Sequence, residues 1–337
     1  MQQPAPVSPE LFWDTVMSYQ KSAAIKAAVD LEVFSNIGGE SKTAAEIATA
    51  TGAAERGIRI LCDSLTVMGF LTKAEGGYSL TDSSATFLDK NSPAYIGSIV
   101  NFLLDPALMR GFEDLTGAVK KGGTMVSEEG SVDPESPMWV KFANAMMPMM
   151  VLPAQAIAEK LGFEPDREVK VLDIAAGHGI FGITILQKYR NAQVYGADWA
   201  NVLTVATENA EKFGVADRHH LIPGNAFESD LGSGYDVILL TNFLHHFDKE
   251  TCEGFLTKLN GALAEGGRVI TLEFIPNDDR VTPPAEAMFS LVMLAGTPGG
   301  DAYTFAELKE MFENAGFSKN EHVPLEPTPQ HLVISMK

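Results

Sequence analysis

The chain has 337 residues, 45% of them apolar and 20% charged, and 25 basic against 44 acidic side chains give a formal net charge of −19. That length suits about two domains, each with a sizeable core, and the carboxylate excess repels phosphate backbones and anionic head groups, which argues against nucleic acid or a membrane as partner. No window approaches ~18 apolar residues, residues 1–10 lack the basic and apolar stretches of a secretory leader, and Cys62 and Cys252 stand outside any CxxC pair, so the expectation is a cytoplasmic chain with two buried, inert thiols.

In chain order, Ser8-Pro9-Glu10 reads as a helix start, with Ser8 capping and Pro9 in the first helical position. Apolar residues at Phe12, Val16, Tyr19, Ala23, Ala27 and Leu31 predict one helix as far as Ile37, stopped by Gly38-Gly39. It carries apolar bulk that a partner subunit could cover. Thr43 with Glu46 three residues on is a capping-box pattern, and Gly52 ends that short helix. A second helix follows over residues 54–68. Phe70-Leu71-Thr72 and Tyr78-Ser79-Leu80 flank a Glu75-Gly76-Gly77 turn and read as a hairpin. Helix, turn, helix, hairpin is a winged-helix pattern. In the second helix Glu55 and Asp63 balance Arg56 and Arg59. A helix that reads DNA needs surplus donors, so this one is expected to be structural or dimerising.

Residues 101–162 read as helical again, broken at Gly122-Gly123 and by an acidic loop over residues 127–137. The stretch 138–161 concentrates Met138, Met146, Met147, Met149 and Met150 with Trp139 and Phe142. Methionine surfaces adapt to varied apolar shapes, so this connector is expected to line a pocket, with plain helix packing as the alternative. The expected divisions are thus residues 1–100, 101–162 and 163–337.

From Val169 onward strands alternate with helices. Strands are predicted at 169–174, 192–198, 220–224, 235–240 and 268–274, with a terminal pair at 321–323 and 331–335. Helices are predicted after the first strand to Tyr189, at 201–213 and at 304–315. That alternation means an α/β fold with a mostly parallel, doubly wound sheet, whose ligand lies beyond the carboxyl ends of the strands.

The loop after the first strand, Asp173-Ile-Ala-Ala-Gly177-His-Gly179-Ile-Phe-Gly182, contains GxGxxG, and Asp198 follows Gly177 by 21 residues. Glycines admit a ligand close to the backbone at a helix start, and an acid ending the second strand can accept from both ribose hydroxyls. NAD and S-adenosylmethionine (SAM) fit equally to this point. Asp173 separates them, because a carboxylate beside the loop repels a pyrophosphate and suits the cationic end of SAM. Asn225, in Gly224-Asn225-Ala226-Phe227, can offer an amide oxygen to an adenine amino group, with Phe227 near the ring.

The stretches LDIAAGHG, VYGADW, GNAFES, LLTNFLHHFDKETC, GGRVITLEF and MLAGTPGG, in that order, make the second domain resemble the class I SAM-dependent methyltransferases. Over nearly its full length the chain resembles the two-domain small-molecule O-methyltransferases of plants and bacteria. The resemblance implies a Rossmann-like domain with a seven-stranded sheet, a preceding winged-helix dimerisation domain, a homodimer and SAM as cofactor, leaving S-adenosylhomocysteine (SAH) as product. It places Gly177 and Gly179 beside the methionine part of SAM and Asp198 on the ribose. Trp199 and Ala226 join the same cofactor set, and Asn225 stands where the family usually has Asp.

His245, just past the fourth strand, matches the catalytic His of the family's L-H-D motif. An unactivated phenol has a pKa of about 10, so a base near pKa ~6.5 can take its proton as the methyl arrives. Glu273 ends the fifth strand, expected beside the fourth, where it can accept the other ring N–H of His245. Packing at a helix start is the alternative for the His245-His246 pair. His246 replaces the usual Asp, and the family's second His-orienting Glu falls on Ala302, leaving Asp301 or Tyr303 as substitutes. The acceptor site is expected from Phe142, Met146, Met147, Met150, Met288, Phe289 and Met293. His178 lies in the glycine loop, either against SAM or facing solvent. No histidine has metal-ligand spacing. The expected activity is methyl transfer to a hydroxyl of an apolar small molecule. Carbon methylation of an activated ring, a nicotinamide oxidoreductase and a non-enzymatic ligand-responsive regulator are the competing readings.

Overall fold

The computed structural model describes residues 7–128, 130 and 136–337, and most of the acidic loop expected at 127–137 lies outside them. It divides into two compact units, one ending at Asp105 and the other beginning at Pro106.

In the first unit the single N-terminal helix expected from spacing is three: α1 (Glu10–Val16), α2 (Ser18–Asp30) and α3 (Val33–Ile37). Pro9 caps α1 instead of opening it. The Thr15 and Ser18 hydroxyls turn back onto the carbonyls of Leu11 and Thr15, competing with helix bonds around Met17. Glu32, at φ 53°, makes the second break. That turn brings Val33, Phe34 and Ile37 into a core with Ile47, Ile58 and Leu65.

Lys42–Thr43 forms a short strand, β1, with no signal of its own in the sequence. It is followed by α4 (Ala44–Thr51), α5 (Glu55–Val67), β2 (Leu71–Ala74), β3 (Gly77–Leu80), α6 (Asp82–Phe87) and α7 (Val100–Leu103). The capping box is made in both directions between Thr43 and Glu46, and the strands pair in the order β1-β3-β2, which completes the winged-helix pattern. Leu11, Phe12, Trp13, Val16 and Tyr19 stay exposed on α1 and the start of α2.

The second unit opens with α8 (Pro106–Glu113), α9 (Leu115–Lys121) and α10 (Pro137–Lys160). Ser136 caps α10, and Pro148 and Pro153 lie within it. Then come β4 (Val169–Ile174), α11 (Ile180–Lys188), β5 (Ala192–Asp198), α12 (Ala200–Lys212), β6 (His219–Pro223), β7 (Tyr235–Thr241), α13 (Lys249–Ala262), β8 (Leu263–Glu273), α14 (Pro284–Gly296), α15 (Phe305–Asn314), β9 (Lys319–Pro324) and β10 (His331–Met336).

The seven strands take the order β6-β5-β4-β7-β8-β10-β9. Only β10 runs opposite to the other six strands. β8 starts five residues earlier than its apolar run, because Leu263 pairs with Tyr235 across an irregular register. Alternate strand residues build two cores. Leu172, Ile174, Ile238 and Leu240 meet Phe255, Leu256 and Leu308 on one face. Val169, Val171, Val237 and Leu239 meet Ile157, Ile183 and Leu186 on the other. The chain steps outward from β4 to β5 and β6, then returns to β7 on β4's other side. The carboxyl ends of β4 and β7 therefore flank a topological switch point, where such sheets hold their ligands.

Candidate active site

The loop that follows β4 bends sharply, with Ala175 at φ 52°, Gly177 at φ 58° and Gly179 at φ 74°. The glycines divide in role. A Cβ on Gly177 would find only the Ala175 oxygen, at 3.7 Å, so that face of the turn is open. A Cβ on Gly179 would stand 3.1 Å from that of Ala206 on α12, and one on Gly182 would lie 2.6 Å from Val194 Cγ1. Those two serve close helix packing.

Asp198 is pinned at the end of β5: Gly177 N donates to its Oδ2 at 2.8 Å and Trp199 N to its Oδ1 at 2.7 Å. Burial raises its pKa to about 6. Asp173, one residue before the end of β4, lies under the loop and is wholly buried. Gly182 N donates to its Oδ2 at 3.3 Å, and Oδ1 has no partner. Burial first, and then the charge of Asp198, push its pKa up to about 8. A buried carboxyl with one orphaned oxygen beside a half-buried one favours a cationic ligand and penalises a pyrophosphate.

His178 is buried, which excludes a solvent-facing role. Its Nδ1 accepts from Ile180 N at 3.2 Å, which puts the ring proton on Nε2, and burial lowers its pKa to about 4.

After β6, Asn225 folds its own turn. Its Oδ1 accepts from Phe227 N at 3.0 Å, leaving one lone pair of that oxygen for a ligand. Phe227 packs on Phe255, Phe247 and Phe243, with ring centroids 4.6, 4.9 and 5.9 Å away. It thus joins the second site segment, the turn after β7. Lys258 on α13 donates to the carbonyls of Ala226, Phe227 and Ser229 at 3.0, 2.9 and 2.8 Å. Nothing in the local spacing of Lys258 signals that contact.

His245 sits in the one-turn 3-10 helix Leu244–His246, and parallel pairing of β7 with β8 brings Glu273 to it. Glu273 Oε1 accepts from Phe243 N at 3.0 Å and Leu244 N at 2.9 Å, while Oε2 meets His245 Nδ1 at 2.5 Å. Both side chains are buried. With Nδ1–H held, Nε2 is the nitrogen left for chemistry. His246 lies ring against ring with His245, centroids 4.3 Å apart, and edge-on to Trp139 at 5.3 Å. Burial and the adjacent His245 hold its pKa well below the ordinary histidine value.

Ala302 is fully buried. Neither neighbour is aimed at the ring: Asp301 pairs with Arg280 at 2.9 Å, and the Tyr303 hydroxyl donates to the Phe247 carbonyl at 2.5 Å. Gly300 lies against the histidine turn, and a Cβ there would collide with the His245 carbonyl oxygen.

Of the expected acceptor-site residues, Phe289 touches His245, its ring edge-on at 4.9 Å, and is stacked on Phe274 at 4.2 Å. Phe142 meets Trp139, and Met146 and Met147 are half-buried against the core. Met150 and Met293 are buried, whereas Met288 is 61% exposed. Asn242, at φ 54°, holds the start of the histidine turn and is not singled out by the sequence. It accepts from Gln330 Nε2 at 2.5 Å and donates to Met150 Sδ at 3.6 Å, tying the start of the histidine turn to α10 and to the residue just before β10. An Asn before the His pair is its only sequence signal, since Asn tolerates the left-handed region.

The family model described as the O-methyltransferase domain matches residues 122–318, and the O-methyltransferase dimerisation domain matches residues 13–90. The 3-hydroxy-5-methyl-1-naphthoate 3-O-methyltransferase of Streptomyces sahachiroi is 27% identical over 94% of this chain and 91% of its own. A solved structure from Nostoc punctiforme, provisionally named an O-methyltransferase, is 53% identical over 99% of this chain and 100% of its own, with a TM-score of 0.95. Human N-acetylserotonin methyltransferase, solved with SAM, shares the fold at 20% identity and a TM-score of 0.85, over 100% of this chain and 99% of its own.

Proposed function

The chain belongs to the O-methyltransferase family, and we propose that it moves a methyl group from SAM to a phenolic or enolic hydroxyl of an apolar small molecule, with His245 as base. SAM supplies a methyl already activated on its sulfonium, which leaves the protein to align the partners and take one proton. Asp173 and Asp198 fit that cofactor: one buried carboxylate has an oxygen to spare for a cation, and the other is held by two amides where it can accept ribose hydroxyls. Gly177 offers the open side of its turn to the methionine part. Gly179, Trp199, Ala226 and Phe227 shape the walls, and Asn225 keeps a lone pair for adenine.

The acceptor hydroxyl stands against His245 Nε2, which takes its proton while Glu273 holds Nδ1–H and stabilises the imidazolium. The observation that carries this reading is the 2.5 Å contact between His245 and Glu273. One carboxylate supports the base where the family has two, so an acceptor more acidic than a simple phenol suits it. Carbon methylation of an equally activated ring would use the same base. Phe289 forms the acceptor wall beside His245, with Phe142, Met146, Met147, Met150 and Met293 behind it and Met288 at the mouth. An aromatic acceptor agrees with the hydroxynaphthoate named for the Streptomyces relative. The connector, residues 101–162, thereby belongs to the acceptor site. The exposed apolar side chains of α1 are read as the contact with a second copy of the chain, forming a cytoplasmic homodimer.

Calorimetry with SAM, SAH and NAD tests the cofactor, and SAH release from a panel of phenols and enols tests the reaction. Binding of NAD without SAH would overturn the reading. A His245→Ala enzyme with full turnover would remove the base.

A further inference from the structure

We infer that Lys258 is a positioning residue for the adenine end of the cofactor: from α13, behind the Asn225 turn, its ammonium gathers three carbonyls and so holds the Asn225 amide in its binding orientation. This rests on the cofactor reading above.

The turn at 225–229 is bonded from within by backbone amides. Glu228 N and Ser229 N donate to the Asn225 carbonyl at 3.0 and 2.8 Å, and Phe227 N donates to Asn225 Oδ1. Those bonds leave the carbonyls of Ala226, Phe227 and Ser229 converging on one spot. Three carbonyl dipoles aimed together repel one another unless a donor stands between them. Lys258 Nζ is that donor, and its three N–H groups match the three acceptors at 3.0 Å or less. Gly224, at φ 129°, sits immediately before the turn, and its N–H donates to the Asp198 carbonyl at 2.9 Å. The turn is thereby fixed to the end of β5 on one side and to α13 on the other.

Removing the ammonium leaves the internal bonds but frees the carbonyls to separate, which rotates the Phe227 peptide and the Asn225 amide bonded to it. Lys258 lies behind the turn and acts through it. Its loss should therefore appear in cofactor affinity and leave the His245 turn's own bonds in place.

Lys258→Met, Lys258→Gln and Lys258→Arg proteins are titrated with SAH by calorimetry, with melting curves as the check on folding. Lys258→Met is expected to weaken SAH at least tenfold, Lys258→Gln less, and Lys258→Arg within about threefold of wild type. At saturating SAM, kcat should hold while KM for SAM rises. Folded Lys258→Met protein that binds SAH like wild type overturns the inference. Hydrogen exchange on the wild-type chain supplies a second readout, since SAH should slow exchange at the amides of residues 227–229. Exchange unchanged there while SAH is bound also overturns it. Wild-type protein that fails to bind SAH refutes the cofactor reading instead.

Discussion

Replacing Glu273 with Gln keeps the side chain's shape and removes its charge and one acceptor atom. Glu273 now accepts three bonds, two from the amides of Phe243 and Leu244 and one from His245 Nδ1. A Gln oxygen satisfies most donors by facing the two amides, and its NH2 then meets Nδ1. Two donors cannot face each other, so the ring proton moves to Nε2 and the base is in the wrong tautomer. The lost charge-assisted bond alone is worth about 1.5–3 kcal/mol, or roughly 10- to 150-fold in rate, and the tautomer change adds to it. The assay is SAH release at saturating SAM and acceptor, beside SAH calorimetry and urea unfolding. Glu273→Gln should lose at least tenfold in kcat with SAH affinity unchanged. Glu273→Ala should also lose stability, since two buried amides go unpaired at about 1–3 kcal/mol each. Glu273→Gln turnover within threefold of wild type would refute the coupling of this carboxylate to the base.

Other consequences are equally open to measurement. Asp173 and Asp198 have folded-state pKa values raised to about 8 and about 6. Their contribution to stability is therefore complete below about pH 4, where both are protonated in either state, and is lost as pH rises through those two values. Asp173→Asn should stabilise the ligand-free protein above pH ~8 and weaken SAH, and a variant destabilised at that pH would contradict the burial argument. SAH affinity should rise from pH ~6 to ~8 as the carboxyls ionise, seen as proton release in buffers of different ionisation enthalpy; pH-independent binding would count against both carboxylates. Gly300→Ala forces backbone atoms apart at the histidine turn. It should abolish turnover and cost about 1–3 kcal/mol of stability, so an active, equally stable variant would remove that contact from the account. Tyr303→Phe should change kcat less than threefold, because its hydroxyl serves the Phe247 carbonyl; a large loss of rate would reinstate it as a partner of the base. Phe12→Ser with Trp13→Lys should shift sedimentation from dimer to monomer, and a persistent dimer would locate the interface elsewhere.

Much of the fold and of the site is legible in the residues alone. β4, β5 and β8 are legible from their mostly apolar residues, as strands covered on both faces require, and Asp198 and Glu273 close β5 and β8 while Asp173 stands one residue before the end of β4. Thr43 and Glu46 are read from a local rule that the fold obeys. What escapes the sequence is non-local or competitive. The N-terminal helix breaks where hydroxyls compete for carbonyls, which an apolar period does not register. Lys258 bonds a loop 29 to 32 residues away, and Gln330 reaches Asn242 88 residues off. The depth of Asp173, wholly buried under the loop, also escapes the sequence, since a motif gives a residue's place along the strand and says nothing of its burial.

Pro148 and Pro153 sit inside α10 on either side of Met150, with Met146 and Met147 just before them. Each proline leaves the carbonyl four residues earlier without its helical donor. Met149 and Met150 thus stand between two soft joints in an otherwise continuous rod, with Met146 and Met147 just before the first, and none of the four belongs to the parallel sheet. On the proposed reading, a lineage exchanges one acceptor for another by rewriting this short span, while the carboxylates, the glycine turn and the His245–Glu273 pair stay as they are.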